Sequence, residues 1–291
     1  MEAHLEDRRE FDRRHAMSAG SGNGQVAARP QDVDCAPTTP RLGFGRFDLA
    51  AWDRLVRAQD DAGASTVLGG LGYGVAAQER GSGSGSGIGA LTARVLSAGG
   101  ARIDAWLASA PTTPGGRGPL AWRQDGHWLY GAIELDDTVG GDLQAAARAA
   151  YEAVFSTLAE TGFTHLLRLW NYLPGINADG GGMERYRRFN AGRQAAFLAA
   201  GLAAFEGAPA ACAIGVASGP LRVRFLAGRQ APIAIENPRQ VSAYHYPPAY
   251  GPRPPTFSRA ALVQAGDPAG AATGEGNVAL LVSGTASIVG H

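Results

Sequence analysis

The sequence contains no lysine, so each of its 26 basic side chains is an arginine. The 26 acidic residues balance them, and the formal net charge at pH 7 is +0. A neutral chain lacks the broad basic surface that nucleic acids and anionic lipids require, so we expect neither as a partner. Arginine can bind a planar carboxylate through two parallel hydrogen bonds, although GC-rich coding bias is sufficient to explain most of these residues.

Cysteines and long apolar runs are also scarce. The two cysteines, Cys35 and Cys212, lie far apart, and no His, Asp, Glu or Cys residues are gathered at metal-ligand spacing, so we predict no disulfide framework and no metal. No run approaches the ~20 apolar residues that cross a bilayer, and residues 1–17 lack the apolar centre of a signal peptide. We therefore expect a soluble, cytoplasmic protein without a membrane partner.

Composition divides the chain into a leader and two folded units. Residues 1–40 are charged, then rich in Gly, Ala and Pro, which predicts a disordered leader. Residues 81–87 read GSGSGSG, a composition typical of a flexible loop. We predict one domain over residues 41–236 and the first, truncated part of a second over 237–291.

Hydrophobic periodicity predicts an α+β fold with helices on one face of a mixed sheet. Asp142 is the expected N-cap of the first helix and Gly162 its end. The strands are expected at 68–77, 103–108, 127–135, 165–173, 210–215 and 221–226, and the helices at 143–160 and 183–201. Two further strands, at 256–263 and 278–283, cannot bury a hydrophobic face alone. Either the rest of their unit lies outside this sequence or they join the first sheet.

The segment Tyr244 to Arg259, YHYPPAYGPRPPTFSR, is the most informative stretch. Its prolines restrict the backbone, so Tyr246, Tyr250 and Arg253 can be presented without a large ordering cost. An arginine beside phenols suits an anionic, ring-bearing ligand. A rigid interdomain loop with packed tyrosines and a solvated arginine is equally compatible with the pattern.

Two arginines fall on predicted core elements. Strand alternation places Leu167 and Leu169 on one face and Arg168 on the other. We favour an ion pair between Arg168 and Glu134 or Asp136 over a substrate role. Arg193 lies on the core stripe of the second helix. It is either a substrate clamp or half of an internal ion pair, and the sequence does not decide between them.

Three other polar residues carry weaker signals. Glu236 could act as an acid or base, but a carboxylate just before Asn-Pro more often stabilises a turn. The lone histidines His127 and His245 stand beside aromatic residues and are interpreted as structural.

Several separate motifs between about His127 and His291 resemble the chorismatase family. They read RLWNY at 168–172, PGIN at 174–177, IENP at 235–238, HYPPAYGPRPP at 245–255 and SGTASIVGH at 283–291. The last motif, with AGRQAP at 227–232, is most similar to the branch that makes hydroxybenzoates. The resemblance implies two RidA-like units, the second truncated here, in a monomer or a RidA-like trimer.

The resemblance also implies an activity, the conversion of chorismate to 3- or 4-hydroxybenzoate with release of pyruvate and without a cofactor. The alternatives are hydrolysis of chorismate to a dihydroxycyclohexadiene carboxylate, or a non-catalytic RidA-like binding module. By likeness, Tyr246 and Arg253 hold the substrate and Ala286 faces its ring, and we add Tyr250 and Arg193 as candidate contacts. The family's proton donor is a glutamate in a later VEIEG-like strand that this sequence does not contain, so no catalytic residue is assigned. We expect at best a binding-competent fragment.

Overall fold

A computed structural model of the chain describes residues 41–74, 88–91 (backbone only), 100–136, 142–179, 181–266, 278–285 and 289–290. The predicted leader at 1–40, the GSGSGSG segment at 81–87 and Ala286 lie outside the described residues. The predictions made for them therefore remain predictions.

The described residues form an α+β arrangement of strands and three α-helices. In chain order these are β1 (Leu42–Phe47), α1 (Leu49–Asp61), β2 (Val67–Tyr73), β3 (Ile88–Leu91), β4 (Arg102–Ala108), β5 (Thr113–Arg117), β6 (Leu120–Gln124), β7 (Trp128–Leu135), α2 (Leu143–Thr161), β8 (His165–Pro174), α3 (Arg185–Ala199), β9 (Ala210–Val216), β10 (Leu221–Gly228), β11 (Ile233–Ile235), β12 (Ala260–Gln264) and β13 (Val278–Val282).

The central sheet has the strand order β5-β6-β7-β10-β8-β9. Strands β8 and β9 are parallel, because α3 carries the chain back between them, and the other neighbours are antiparallel. The predicted mixed sheet is confirmed, and β7, β8, β9 and β10 each lie within about two residues of their predicted bounds.

Helices α2 and α3 cover one face of this sheet, as predicted. The Asp142 side chain accepts a hydrogen bond from the Gln144 backbone N–H at 2.9 Å, and Gly162 ends α2 with a left-handed φ of 72°. Gly192 permits the close approach of α3 to α2, since a Cβ there would lie 2.1 Å from the Gln144 carbonyl oxygen. The core on this face includes Leu129, Tyr151, Val154, Phe155, Leu169, Phe197 and Phe225.

One irregularity changes which side chains of β8 share a face. The register of β10 against β8 shifts between Leu226 and Ala227, as at a β-bulge. Leu167 consequently packs in a cluster away from the helices, whereas Leu166 and Leu169 lie on the helix side. The prediction that Leu167 and Leu169 share a face is wrong, because strict alternation holds only where the ladder is regular.

Two smaller sheets flank the central one. The first has the order β1-β4-β2-β3 and packs with α1 around Trp52, although the sequence analysis predicted neither β1 nor α1. The second joins β11, β12 and β13. It is tied to the start of β9 by backbone hydrogen bonds from Ser258 N to Pro209 O (3.2 Å) and from Gly284 N to Ala211 O (3.1 Å). The two late strands therefore pair with each other and with β11.

No helix in the described part of the chain has the length and apolar character needed to cross a membrane. Within the same residues, no group of three or more His, Cys, Asp or Glu side chains is arranged to hold a metal ion. Cys212 is buried, as expected of a small core residue.

Candidate functional site

The proline-rich segment is a loop containing two short turns of 3-10 helix, Ala243–His245 and Pro248–Tyr250. It is attached to α3, where the Gln194 side-chain amide donates a hydrogen bond to the Pro254 carbonyl at 3.4 Å. Gly251 has a φ of 139°, a conformation that favours glycine. The loop predicted from the prolines is therefore present and is held against α3.

The three predicted loop residues have different surroundings. The rings of Tyr246 and Tyr250 pack at a centroid distance of 5.3 Å, with Tyr246 half-buried and Tyr250 exposed. Arg253 is exposed, and no hydrogen bond or ion pair joins its guanidinium to another described residue. The structure thus pairs the two phenols but does not bring Arg253 to them. The predicted contact of Arg253 with a ligand stays a prediction.

Arg259 is the arginine that meets Tyr246. Its Nη2 donates to the Tyr246 hydroxyl at 3.0 Å and to the Val241 carbonyl at 2.7 Å, and its Nη1 donates to the Thr285 hydroxyl at 2.9 Å. The guanidinium carbon also lies 5.8 Å from the Tyr246 ring centre and 5.4 Å from that of Phe257. These contacts fix the guanidinium between the loop and the segment that follows β13.

The charge of Arg259 is buried without a counter-ion in the described part of the chain. The residue is only 6% exposed, no described carboxylate pairs with it, and its Nε is buried without a hydrogen-bond partner. Burial of an unpaired charge is costly, so such a group is a strong candidate to bind an anion. A guanidinium forms short, charge-assisted hydrogen bonds with carboxylates.

Glu236 stands near this arginine along the sheet. Ile235 of β11 pairs with Ala260 of β12 in antiparallel register. Glu236, which follows Ile235, therefore lies opposite Arg259, which precedes Ala260. Both carboxylate oxygens of Glu236 are buried, and neither accepts a hydrogen bond from a described residue. The simple turn role favoured from the Asn-Pro context does not account for that burial.

Arg259 was not predicted as a site residue, because the proline-rich pattern favoured Arg253. A usable signal was present, since Arg259 directly precedes the apolar strand β12. A long charged side chain at the start of a buried strand cannot simply extend into solvent, and it needs partners inside the protein. Arg253, flanked by prolines in a loop, has no such constraint.

Arg193 lies in the helix-side core. It is 1% exposed, its Nη2 donates to Asn190 Oδ1 at 3.0 Å, and its guanidinium carbon lies 5.0 Å from the Phe189 ring centre. Burial raises the pKa of the neighbouring Tyr151 phenol, and the Arg193 charge partly opposes that rise. No described carboxylate pairs with Arg193, so the internal ion pair is not found, and its substrate role stays a prediction.

Arg168 does not form the ion pair expected of it. The prediction that it pairs with Glu134 or Asp136 is wrong, because Arg224 on the adjacent strand β10 reaches Glu134 at 2.5 Å. The nearest hydrogen-bond acceptor of Arg168 is the Ser283 hydroxyl, at the long distance of 3.4 Å. Burial of the guanidinium lowers the pKa of Arg168.

Fold and site together define an α+β protein with a buried, uncompensated guanidinium beside two phenols, a chemistry suited to carboxylate ligands. Residues 104–227 match the family described as chorismatase FkbO/Hyg5-like, N-terminal. A crystal structure of a chorismatase is 30% identical and has a TM-score of 0.71, over 88% of this chain and 72% of that one. The chain belongs to the chorismatase family.

Two curated relatives extend the comparison. A 3-hydroxybenzoate synthase from Streptomyces hygroscopicus is 41% identical over 190 residues, which are 65% of this chain and 54% of that protein. A chorismatase from Streptomyces rapamycinicus is 38% identical with the same coverage. The chain thus spans about half the length of the curated relatives it matches.

Proposed function

We propose that this protein binds chorismate and converts it, with release of pyruvate, to 3- or 4-hydroxybenzoate. The observation that carries the proposal is the buried guanidinium of Arg259, oriented by Tyr246 and Thr285 and unpaired with any described carboxylate. Chorismate bears two carboxylates on a compact ring, and an oriented guanidinium gives such a ligand both affinity and a fixed position. The names of the two relatives, a hydroxybenzoate synthase and a chorismatase, support the same substrate.

In this proposal Arg259 binds one carboxylate of chorismate. Tyr246 and Tyr250 form a phenolic wall beside the ring, because their own rings are already packed at 5.3 Å. Ala286 is retained as the residue predicted to face the ring. Arg253 and Arg193 are retained as predicted contacts to the rest of the ligand.

The chemistry begins with protonation of the methylene carbon of the enolpyruvyl ether. The side chain then becomes electron-poor at the ether carbon. Elimination breaks the bond between the ring carbon and the ether oxygen, which leaves as pyruvate, and loss of the proton from the carbon that bears the hydroxyl gives 4-hydroxybenzoate. Formation of 3-hydroxybenzoate requires in addition that the ring hydroxyl oxygen move to the carbon that loses pyruvate. Capture of water at the ether carbon of the side chain gives pyruvate and a dihydroxycyclohexadiene carboxylate instead. We assign the proton donor to no residue of this chain, Glu236 included.

The strand order also supports the finer description of the fold. A sheet in the order β5-β6-β7-β10-β8-β9 with two helices on one face provides both layers of an α+β unit, the sheet and the helices that cover it. We propose that it is a RidA-like unit ending near residue 236. In the same proposal β12 and β13 are the first strands of a second such unit.

A coupled pyruvate assay with chromatography of the ring product tests the activity. Chorismate is added to the purified chain, pyruvate is followed with lactate dehydrogenase and NADH, and the aromatic products are separated against 3- and 4-hydroxybenzoate standards. Pyruvate in equal amount with either hydroxybenzoate supports the proposal.

Each of the other outcomes of this assay leads to a different conclusion. Pyruvate with a dihydroxycyclohexadiene carboxylate replaces the lyase proposal by hydrolysis. Saturable chorismate binding without pyruvate supports chorismate as the ligand and indicates either the non-catalytic module or a binding-competent fragment. Neither binding nor pyruvate release, from a chain that melts cooperatively, overturns chorismate as the substrate.

A further inference from the structure

The central sheet carries a second feature on the face turned away from α2 and α3, a cavity of about 350 Å³. It lies where the central sheet meets the β1-β4-β2-β3 sheet and the strand β13. Its volume falls at the lower end of the range found for small-molecule sites. Aromatic rings in mutual contact form much of its wall, and these belong to Phe44, Trp106, Trp170 and Tyr130.

One cation on this aromatic wall has no carboxylate partner among the described residues. Arg168 is 8% exposed, stands 5.4 Å from the Trp170 ring centre, and donates to the Ser283 hydroxyl at the long distance of 3.4 Å. Asp104 also lines the cavity. Its two carboxylate oxygens accept hydrogen bonds from Nε and Nη2 of Arg46, at 2.7 and 2.9 Å. The cavity therefore presents a net positive charge to a ligand.

A pair of phenols stands on the same wall. The hydroxyls of Tyr73 and Tyr172 lie 3.3 Å apart and share one hydrogen bond, so the pair keeps both a donor and an acceptor position for a ligand hydroxyl. Burial raises the pKa of both phenols, which keeps them neutral.

The placement of these groups sets the polarity of the ligand. Arg168 and Tyr172 lie four residues apart on one face of β8, about 13 Å between their Cα atoms, and both line the cavity. A ligand held by both therefore carries an anionic group at one end and a hydroxyl at the other, and the aromatic wall favours a ring between them. A cavity of about 350 Å³ admits a single benzene ring with a carboxylate and a hydroxyl.

We propose that the cavity binds a hydroxylated aromatic carboxylate, with the carboxylate on Arg168 and the ring hydroxyl on the Tyr73–Tyr172 pair. The site is separate from the one assigned to chorismate. Tyr246, Tyr250 and Arg259 do not line the cavity, and the two guanidinium groups contact different residues after β13, Arg168 contacting Ser283 and Arg259 contacting Thr285. The proposal does not depend on chorismate being the substrate.

Isothermal titration of the full chain with 4-hydroxybenzoate tests it, with 4-hydroxybenzamide as the neutral probe of the same shape. We expect the carboxylate to bind at least about 10-fold more tightly than the amide, as a charge-assisted contact requires. Arg168→Met should weaken 4-hydroxybenzoate binding about 10-fold or more, and Tyr73→Phe by about 3-fold. A hydroxybenzoate product would also occupy the chorismate site, so the titrations are repeated in Arg259→Gln, where the binding event assigned to the cavity should keep its carboxylate preference and change in affinity less than about 2-fold.

Three outcomes would contradict the proposal of a second site. Equal affinity for the carboxylate and the amide, no heat with either probe, or loss of 4-hydroxybenzoate binding in Arg259→Gln would each overturn the second site. The carboxylate-to-amide ratio is measured on the unaltered protein, and Tyr73→Phe keeps its ring, so the test survives if Arg168→Met does not fold. Pyruvate release plays no part in this readout, so failure of the proposed activity leaves the result interpretable.

Discussion

The two faces of the central sheet differ in whether a ligand can reach their buried polar groups. On the helix face, the Tyr151 hydroxyl donates to Asn171 Oδ1 at 2.7 Å, and the Asn171 amide donates to the Cys212 carbonyl at 2.9 Å. Arg193 on that face also lacks a described carboxylate partner, but it is 1% exposed and enclosed in the core. On the cavity face, Arg168 lines a cavity of about 350 Å³ and has a long contact to Ser283. The helix face therefore stabilises the fold, and the cavity face is the one available to a ligand.

The largest effect is expected where the helix face is packed most tightly, at Gly192. In Gly192→Ala the new Cβ would lie 2.1 Å from the backbone carbonyl oxygen of Gln144, so the two helices must separate. We expect the free energy of unfolding, measured with urea, to fall by about 3 kcal/mol or more. Gly43→Ala is the control, because its Cβ would meet Leu107 at an ordinary 3.6 Å. Similar small losses in both variants would contradict the packing argument.

A smaller effect is expected from opening the hydrogen-bond network. Tyr151→Phe leaves the buried oxygen of Asn171 without its phenol donor, and the free energy of unfolding should fall by about 1 to 3 kcal/mol. Tyr130→Phe is the matched control on the cavity face, and thermal melts of both should show the larger loss in Tyr151→Phe. Equal melting temperatures would show that the two faces do not differ in this respect.

The smallest effect on stability is expected from Arg168→Met. This change removes a buried charge that has no counter-ion in the described structure, so the free energy of unfolding should stay unchanged or rise by up to about 1 kcal/mol. The free energy of unfolding is measured by urea denaturation, in the same series as Gly192→Ala. A fall of more than about 1 kcal/mol would mean that Arg168 supports the fold, and the contrast between the faces would be lost.

The helix face was also the more predictable part of the molecule. The apolar stripe of α2, its Asp142 cap and its Gly162 end could be predicted because periodicity and capping are local properties. Helix α1 was missed although Leu49, Trp52 and Val56 recur at helical spacing and pack in one cluster, so a usable signal was present in the sequence. The β-bulge that turns Leu167 away from Leu169 depends on pairing with β10, which the sequence of β8 alone does not reveal.

The site was predicted in part, for a similar reason. The loop and its tyrosines followed from proline content, which is local. Which arginine joins Tyr246 depends on how the loop folds back on β12, and the structure brings Arg259 there while Arg253 is exposed. The burial of the Glu236 carboxylate is likewise a consequence of strand pairing and not of the Asn-Pro context.

The central claim is that Arg259 is the arginine that binds a carboxylate of chorismate. The most direct measurement is the chorismate dissociation constant, by isothermal titration, of the unaltered chain, Arg259→Gln and Arg253→Gln. We predict a loss of about 100-fold for Arg259→Gln and a smaller loss, of about 10-fold or less, for Arg253→Gln, because the first removes a buried, oriented charge and the second an exposed one that solvent screens. Unchanged affinity in Arg259→Gln together with a large loss in Arg253→Gln would contradict the account.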